Sequence, residues 1–290
     1  MVVEIPEAVQ TNVERLVRLA LEEDLAERGD VTSQAIVDSE ASLHGQIVAK
    51  APGVVAGLFA VQAVYRALDS AVEIVCHVQD GAQVEPGALV CEVIGKGQLM
   101  LAGERTALNF LQRLSGIATL TRQFVTQVAH THAVILDTRK TTPGWRVLEK
   151  YAVRLGGGQN HRMGLYDAVL IKDNHIDAAG SISAAVNAVR RYPGARGLHV
   201  VVEVRNRAEL VEALAAQVDQ IMLDNMSETQ MREAVDLVAG RIPLEASGNM
   251  NIERARSVAE TGVDYISVGA LTHSAPALDL SMRLSRLSSE

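Results

Sequence analysis

Between Arg105 and His175 this 290-residue chain carries ten cations, Arg105, Arg113, Arg122, Arg139, Lys140, Arg146, Lys150, Arg154, Arg162 and Lys172. Only Asp137, Glu149, Asp167 and Asp173 oppose them, so the segment is +6. The whole chain, with 27 Lys+Arg and 35 Asp+Glu, is −8, which leaves −14 for the rest. For Arg113, Arg122, Arg146, Lys150 and Arg154, spaced along helical patterns, a solvated basic face is expected. Arg139, Lys140, Arg162 and Lys172 are placed differently. They follow apolar runs or the Gly156-Gly157-Gly158 turn, and cations there point into a mouth where they bind anions. One anion does not need four charges. The pattern suits a multiply anionic ligand, or two anionic ligands together.

Glu203 and Asp224 also close apolar runs. Two uses are open to them: pairing with Lys140 or Lys172, or holding Mg²⁺ beside a phosphorylated substrate, with water and phosphate oxygens completing the shell. Ser247-Gly248-Asn249 and Gly269-Ala270 are small-residue turns before helical patterns, where backbone N–H groups can approach a phosphate closely. His161 is either a structural hydrogen bonder or a donor to a substrate carboxylate. His175 is expected to brace its loop, and Trp145 to pack beneath the loop that precedes it. No P-loop, strand-linked GxGxxG, Ser-His-Asp or Cys-His arrangement is present.

These residues need a scaffold that brings them together. Apolar, β-branched runs at 133–136, 168–171, 199–202, 220–223, 243–246 and 265–268 alternate with helical patterns, which implies a parallel β/α sheet. Asp137, Lys172, Glu203, Asp224, Ser247 and Gly269 follow those runs. Chemistry at the C-terminal ends of many parallel strands favours a barrel, since all the ends converge on one mouth, whereas an open sheet offers only its switch point. Residues 133–274 are too few for the ~250 of a full eight-unit barrel, so an incomplete, distorted α/β barrel is expected over 116–274. Residues 1–115 read as an N-terminal α/β sandwich: an amphipathic helix over 8–25, then short strands around a helix at 59–68. Helical runs over 100–114 and to about 128 are expected to break at Gly116. The stretch DGAQVEPGALVCEVIG is similar to the hairpins of biotinyl and lipoyl carrier domains, but it has no lysine at its tip, so a structural β-layer is the better reading.

The global −8 argues against a nucleic-acid or anionic-membrane binder. Cys76 and Cys91 have no metal or redox spacing and are expected to be buried reduced thiols. Without a signal-like start or an apolar run of ~20 residues, a cytoplasmic protein is expected.

Taken together, Asp137-Thr138-Arg139-Lys140-Thr141-Thr142-Pro143-Gly144, Lys150-Tyr151-Ala152-Val153, Gly156-Gly157-Gly158, His161-Arg162 and Leu170-Ile171-Lys172-Asp173-Asn174-His175 resemble the quinolinate phosphoribosyltransferase family. Glu104-Arg105-Thr106-Ala107-Leu108-Asn109, Glu203-Val204, Leu223-Asp224-Asn225, Glu245-Ala246-Ser247-Gly248 and Ser267-Val268-Gly269 extend the likeness over nearly the whole chain. The resemblance implies a sandwich domain to which 275–290 return, and an incomplete barrel. It also implies transfer of phosphoribose from 5-phosphoribosyl-1-pyrophosphate to quinolinate with Mg²⁺, giving nicotinate mononucleotide, pyrophosphate and CO₂ in NAD biosynthesis. It would place Arg105, Arg139, His161 and Arg162 on the quinolinate carboxylates, and Lys140 and Lys172 between both substrates. Thr138 would join the substrate site, Glu203 and Asp224 would serve the ribose and Mg²⁺, and Ser247, Gly248, Asn249, Val268, Gly269 and Ala270 would take the 5′-phosphate. Arg105 would come from the other subunit of a homodimer or larger homo-oligomer. The rivals are a paralogue with another phosphoribosyl acceptor, a Schiff-base lyase using Lys140 or Lys172, and a non-catalytic anion-binding scaffold.

Overall fold

Hydrophobic alternation along residues 42–49 and 89–96 sends one set of side chains inward and leaves the other on an open face, as an antiparallel sheet with one covered side requires. In the computed structural model, which describes residues 5–287, these stretches are adjacent strands. The first of two compact units takes in the described residues up to Arg122, Thr142–Gly157, and those from Ala275 onward. It contains α1 (Glu7–Leu25), α2 (Val31–Ile36), β1 (Ser42–Ala49), β2 (Gly53–Val54), α3 (Leu58–Leu68), β3 (Glu73–Cys76), β4 (Gln83–Val84) and β5 (Leu89–Lys96). The long helix α4 (Gly97–Val128) follows. The main sheet has the order β12-β1-β5-β3, where β12 is Leu280–Arg286. Its open face carries His44 and His77, each on a separate oxygen of Glu92 at 2.8 and 2.6 Å. Val9, Val13, Leu16 and Val17 bury one face of α1, which packs on α3 and α5 (Arg146–Leu155).

Two expectations are corrected in this unit, and a third is met. The helical run does not break at Gly116; α4 is continuous. A Cβ at Gly116 would lie 2.0 Å from the Pro276 carbonyl oxygen, so the glycine serves a close approach of the returning chain. The carrier-like stretch is structural, as expected: β4 pairs with β2 while β5 pairs with β1 and β3, so the two strands form no hairpin. Both thiols are free, but only Cys91 is buried; Cys76 is exposed because β3 lies at the sheet edge.

The second unit, Gln123–Thr141 and Gly158–Ser274, alternates strands and helices: β6 (Val134–Leu136), β7 (Val169–Ile171), α6 (Asp173–Ala179), α7 (Ile182–Arg191), β8 (Val200–Val204), α8 (Arg207–Ala215), β9 (Gln220–Asp224), α9 (Glu228–Val238), β10 (Leu244–Ser247), α10 (Ile252–Ala259), β11 (Tyr265–Ser267) and α11 (Ala270–His273). All strand pairings are parallel, in the order β7-β8-β9-β10-β11-β6. The first strand pairs with the last, which is the topology of closure. The seam lies between β6 and β7, where a single bridge from Leu136 to Gln159 stands in for a strand. This is the incomplete barrel expected from the length of the segment. The segment 142–157 groups with the first unit rather than with the barrel, because α5 buries its apolar side chains against α1. That leaves the chain to re-enter the barrel only at Gly158.

Candidate active site

A cavity of about 900 Å³ opens at the C-terminal ends of the barrel strands, lined wholly by residues of the second unit. Thr138, Arg139 and Lys140 reach it from the loop after β6, His161 and Arg162 from the seam, and Lys172 from the end of β7. Glu203 comes from β8, Asp224 from the last position of β9, and Ser247, Gly248 and Asn249 from the end of β10. Gly269 and Ala270 close the circle after β11. Residues as far apart as Thr138 and Ala270, 132 positions, thus share one space because the ends of the parallel strands converge.

Buried Asp137 organises the seam. Its carboxylate accepts from Asn160 Nδ2 at 2.5 Å and from the His161 N–H at 2.9 Å. The Arg162 N–H donates to His161 Nδ1 at 2.7 Å, and Arg162 Nη1 to the Ala168 carbonyl at 3.1 Å. Burial, and next the charge of Arg139, hold the Arg162 guanidinium below the usual arginine range. Two cations that disfavour each other in a concave site make a receptor for anions.

Lys172 Nζ lies 2.5 Å from Glu203 Oε2. The lysine is 45% exposed toward solvent while the carboxylate is 9% exposed, so the lysine can exchange partners when a ligand arrives. His175 braces this loop as expected, its Nδ1 accepting the Lys172 N–H at 3.0 Å. Asp224 accepts only from Asn225 Nδ2, at 2.8 Å, among the described residues. Two hard carboxylates on neighbouring strands suit Mg²⁺ completed by water and phosphate oxygens; no third His, Cys, Asp or Glu joins a metal-holding cluster among the described residues.

The two turns are shaped by backbone geometry. Gly248 has φ +101°, and a Cβ there would fall 2.1 Å from Asn225 Oδ1. Arg254 ties this turn to its neighbour, donating to the Gly248 and Met226 carbonyls, both at 2.9 Å. Lys140 is fastened to the β11 end, its carbonyl accepting from Thr272 Oγ1 at 2.8 Å. A Cβ at Gly269 would sit 2.9 Å from Lys140 Cδ, so glycine lets the lysine lie across the turn.

Not every expected residue arrives. Val268 is fully buried, with its N–H committed to the Leu136 carbonyl at 2.9 Å; strand alternation turns it away while Ser267 and Gly269 line the cavity. Arg105 is exposed on α4 in the first unit and does not line the cavity. The solvated-face expectation fails for Lys150, which is fully buried, and for Arg113, which pairs at 3.1 Å with fully buried Glu149. Trp145 packs as expected, stacked on Phe110 with centroids 4.6 Å apart. Met222, Met250 and His273 also line the cavity but escaped the sequence reading, while Leu170, Asn225 and Ser267 stood in motifs without a role. His273 had one available signal, its place one turn beyond Gly269.

The chain is similar over most of its length to one family and its structures. The family described as Quinolinate phosphoribosyl transferase matches by its N-terminal domain over residues 30–115 and by its C-terminal domain over 117–283. The decarboxylating quinolinate phosphoribosyltransferase 1 of Nicotiana glauca is 42% identical over 301 residues, covering 98% of this chain and 85% of that protein. The crystal structure of NadC from Streptococcus pyogenes matches with TM-score 0.93 at 42% identity, over 99% of this chain and all of that one. The nicotinate-nucleotide pyrophosphorylase of Francisella tularensis matches with TM-score 0.92 at 40% identity, over 97% and 98%.

Proposed function

Since the chain belongs to the quinolinate phosphoribosyltransferase family, we propose that its cavity holds quinolinate and 5-phosphoribosyl-1-pyrophosphate side by side. The protein is a decarboxylating phosphoribosyltransferase that makes nicotinate mononucleotide for NAD biosynthesis. The observation that carries the substrate assignment is the circular order of groups around one mouth. Arg139, His161 and Arg162 stand at the seam, Glu203 and Asp224 on β8 and β9, and the two glycine turns on β10 and β11.

In this reading the arginine forks, completed by Arg105 of a partner subunit in a homodimer, grip the two quinolinate carboxylates and aim the ring nitrogen at the ribose. Ser247, Gly248, Asn249, Gly269 and Ala270 receive the 5′-phosphate through backbone N–H groups. As the bond from ribose C1 to pyrophosphate breaks, positive charge grows on the ribose and negative charge on the leaving group. Glu203 and Asp224 stabilise the first, and Lys140 and Lys172 the second. The positive charge of the new ring nitrogen then stabilises the electron pair left on the adjacent ring carbon as its carboxylate departs as CO₂, and that carbon takes up a proton from solvent to complete nicotinate mononucleotide. Glu203 and Asp224 are also the groups that would hold Mg²⁺, which when bound supplies charge neutralisation to the pyrophosphate.

No helix of the described residues is long and apolar enough to cross a membrane; a cytoplasmic setting is part of the proposal, in keeping with two free thiols. The test is to mix the protein with Mg²⁺, quinolinate and phosphoribosyl pyrophosphate and to follow CO₂ and nicotinate mononucleotide together. Both are expected in equal amounts. Turnover of nicotinate with none of quinolinate would overturn the acceptor assignment. For the shared site, Arg105→Ala mixed with Lys140→Ala is expected to regain activity, because one composite site of the mixed dimer is intact. Verified mixed dimers without activity would remove Arg105 from the partner's site.

A further inference from the structure

Beneath the cavity floor lies a carboxylate that the reaction described above does not use. Glu245, in β10, is fully buried and sits two residues before cavity-lining Ser247. Its Oε1 accepts from Ser267 Oγ of β11, and its Oε2 from Gln220 Nε2 of β9 at 2.5 Å. The Gln220 amide is oriented from its other side by His199, whose Nε2 is 3.2 Å from Gln220 Oε1. A buried carboxylate costs several kcal/mol unless donors or a cation face it. Among the described residues the nitrogen base facing it is His161, whose buried Nε2 lies 3.5 Å from Oε2, at ion-pair distance and outside hydrogen-bond geometry. The other ring nitrogen, Nδ1, accepts the Arg162 N–H. It is therefore unprotonated, and the ring proton is on Nε2, facing Glu245.

We propose that Glu245 is a positioning residue for the acceptor substrate: it fixes the Nε2–H tautomer and the orientation of His161, and through His161 the backbone of Arg162. The line runs from the Glu245 carboxylate to the imidazole, from the imidazole to the Arg162 N–H, and ends at the guanidinium beside Arg139. This rests on the reading that Arg139 and Arg162 hold quinolinate. It places the effect of a buried, substrate-free residue on one substrate only, because the phosphate turns hang on Asn225 and Arg254 and share no hydrogen bond with Glu245 among the described residues.

The experiment is steady-state kinetics of Glu245→Gln with each substrate varied in turn. The KM for quinolinate is expected to rise about tenfold, with kcat and the KM for phosphoribosyl pyrophosphate within about threefold of the parent. Equal rises in both KM values, a fall in kcat alone, or an unchanged quinolinate KM would each overturn the proposal. Gln220→Leu, which removes a donor to the same oxygen without touching the cavity, is expected to act in the same direction by about threefold, and covers the case in which Glu245→Gln fails to fold. ¹⁵N-histidine NMR of the unsubstituted protein adds a readout independent of activity. The His161 signals, assigned by their loss in His161→Asn, are expected to show the Nε2–H tautomer. An Nδ1–H or doubly protonated ring would overturn the proposal. If the unsubstituted enzyme does not turn over quinolinate, the substrate assignment fails while the NMR result still judges the Glu245–His161 link.

Discussion

Glu149 and Glu203 are both buried carboxylates with a cation at hydrogen-bond distance, and they do different work. Around Glu149 every contact is closed. Oε1 takes Arg113 Nη2 at 3.1 Å and Thr142 Oγ1 at 2.8 Å, and Oε2 takes the Thr142 N–H at 3.0 Å. Such a carboxylate fixes α5 and the turn before it, and has nothing left to offer a ligand. Around Glu203 one partner, Lys172, is half in the cavity. The ion pair can be exchanged for contacts to substrate without burying a bare charge. Two sites with the same residue types thus divide into scaffold and chemistry according to whether the cation has somewhere else to go.

The largest effect expected from this contrast is on Lys172. Removing one preorganised cation from developing charge costs about 10²–10³ in rate. Lys172→Ala is therefore expected to lose about a thousandfold in kcat while its melting temperature stays near the parent value. A melting point that falls as far as that of an Arg113 variant would erase the distinction between the two carboxylates. Arg113→Leu is expected to show the reverse. Glu149 is left buried without this cation, at a cost of about 3 kcal/mol in urea unfolding, and kcat/KM per folded molecule holds. A large kcat loss there, with stability intact, would move Glu149 into the chemical group.

A third carboxylate sharpens the comparison with a smaller effect. Asp80 pairs with no cation among the described residues; it accepts the Gly57 and Leu58 N–H groups at 2.9 and 3.0 Å at the start of α3. Burial outweighs those two hydrogen bonds and pushes its carboxyl up to about 6. The unfolded chain would lose this proton near pH 4, so between about pH 4 and 6 the folded state binds more protons. Stability should then fall as pH rises through that window, by at most about 1.4 kcal/mol per pH unit from this group, and level off above it. Urea titrations across pH 4–7 are expected to show this slope in the parent protein and to lack it in Asp80→Asn. The same slope in both would assign it to other groups.

How much of this was legible beforehand depends on the kind of signal. Continuous apolar, β-branched runs located all six barrel strands, because a strand buried on both faces must be apolar along its length. The residues that end those strands were legible for the same reason, and Arg139, Lys140, Arg162, Lys172, Glu203, Asp224, Ser247 and Gly269 do share one cavity. Signals that depend on partners far along the chain were not legible. Gly116 looked like a helix break and is a contact point for residues 276–277. Lys150 and Arg113 looked solvated by their spacing, yet burial is set by what packs on a helix and not by its own sequence. Val268 was one residue out, since which side of a strand end faces the mouth is decided by register. Glu245 lay inside a quoted motif with no role assigned.

By itself the sequence determined the element types, the parallel barrel-like arrangement, the family and the inventory of charges at the strand ends. These follow from local periodicity and residue chemistry, which act over a few positions. Only the tertiary structure decided which of several similar cations and carboxylates face the cavity, which are sealed in the scaffold, and how Glu245 reaches His161. Those outcomes depend on register and on contacts between residues tens of positions apart. Burial and the local dielectric that set the worth of a charge exist only once the strands have closed on one another.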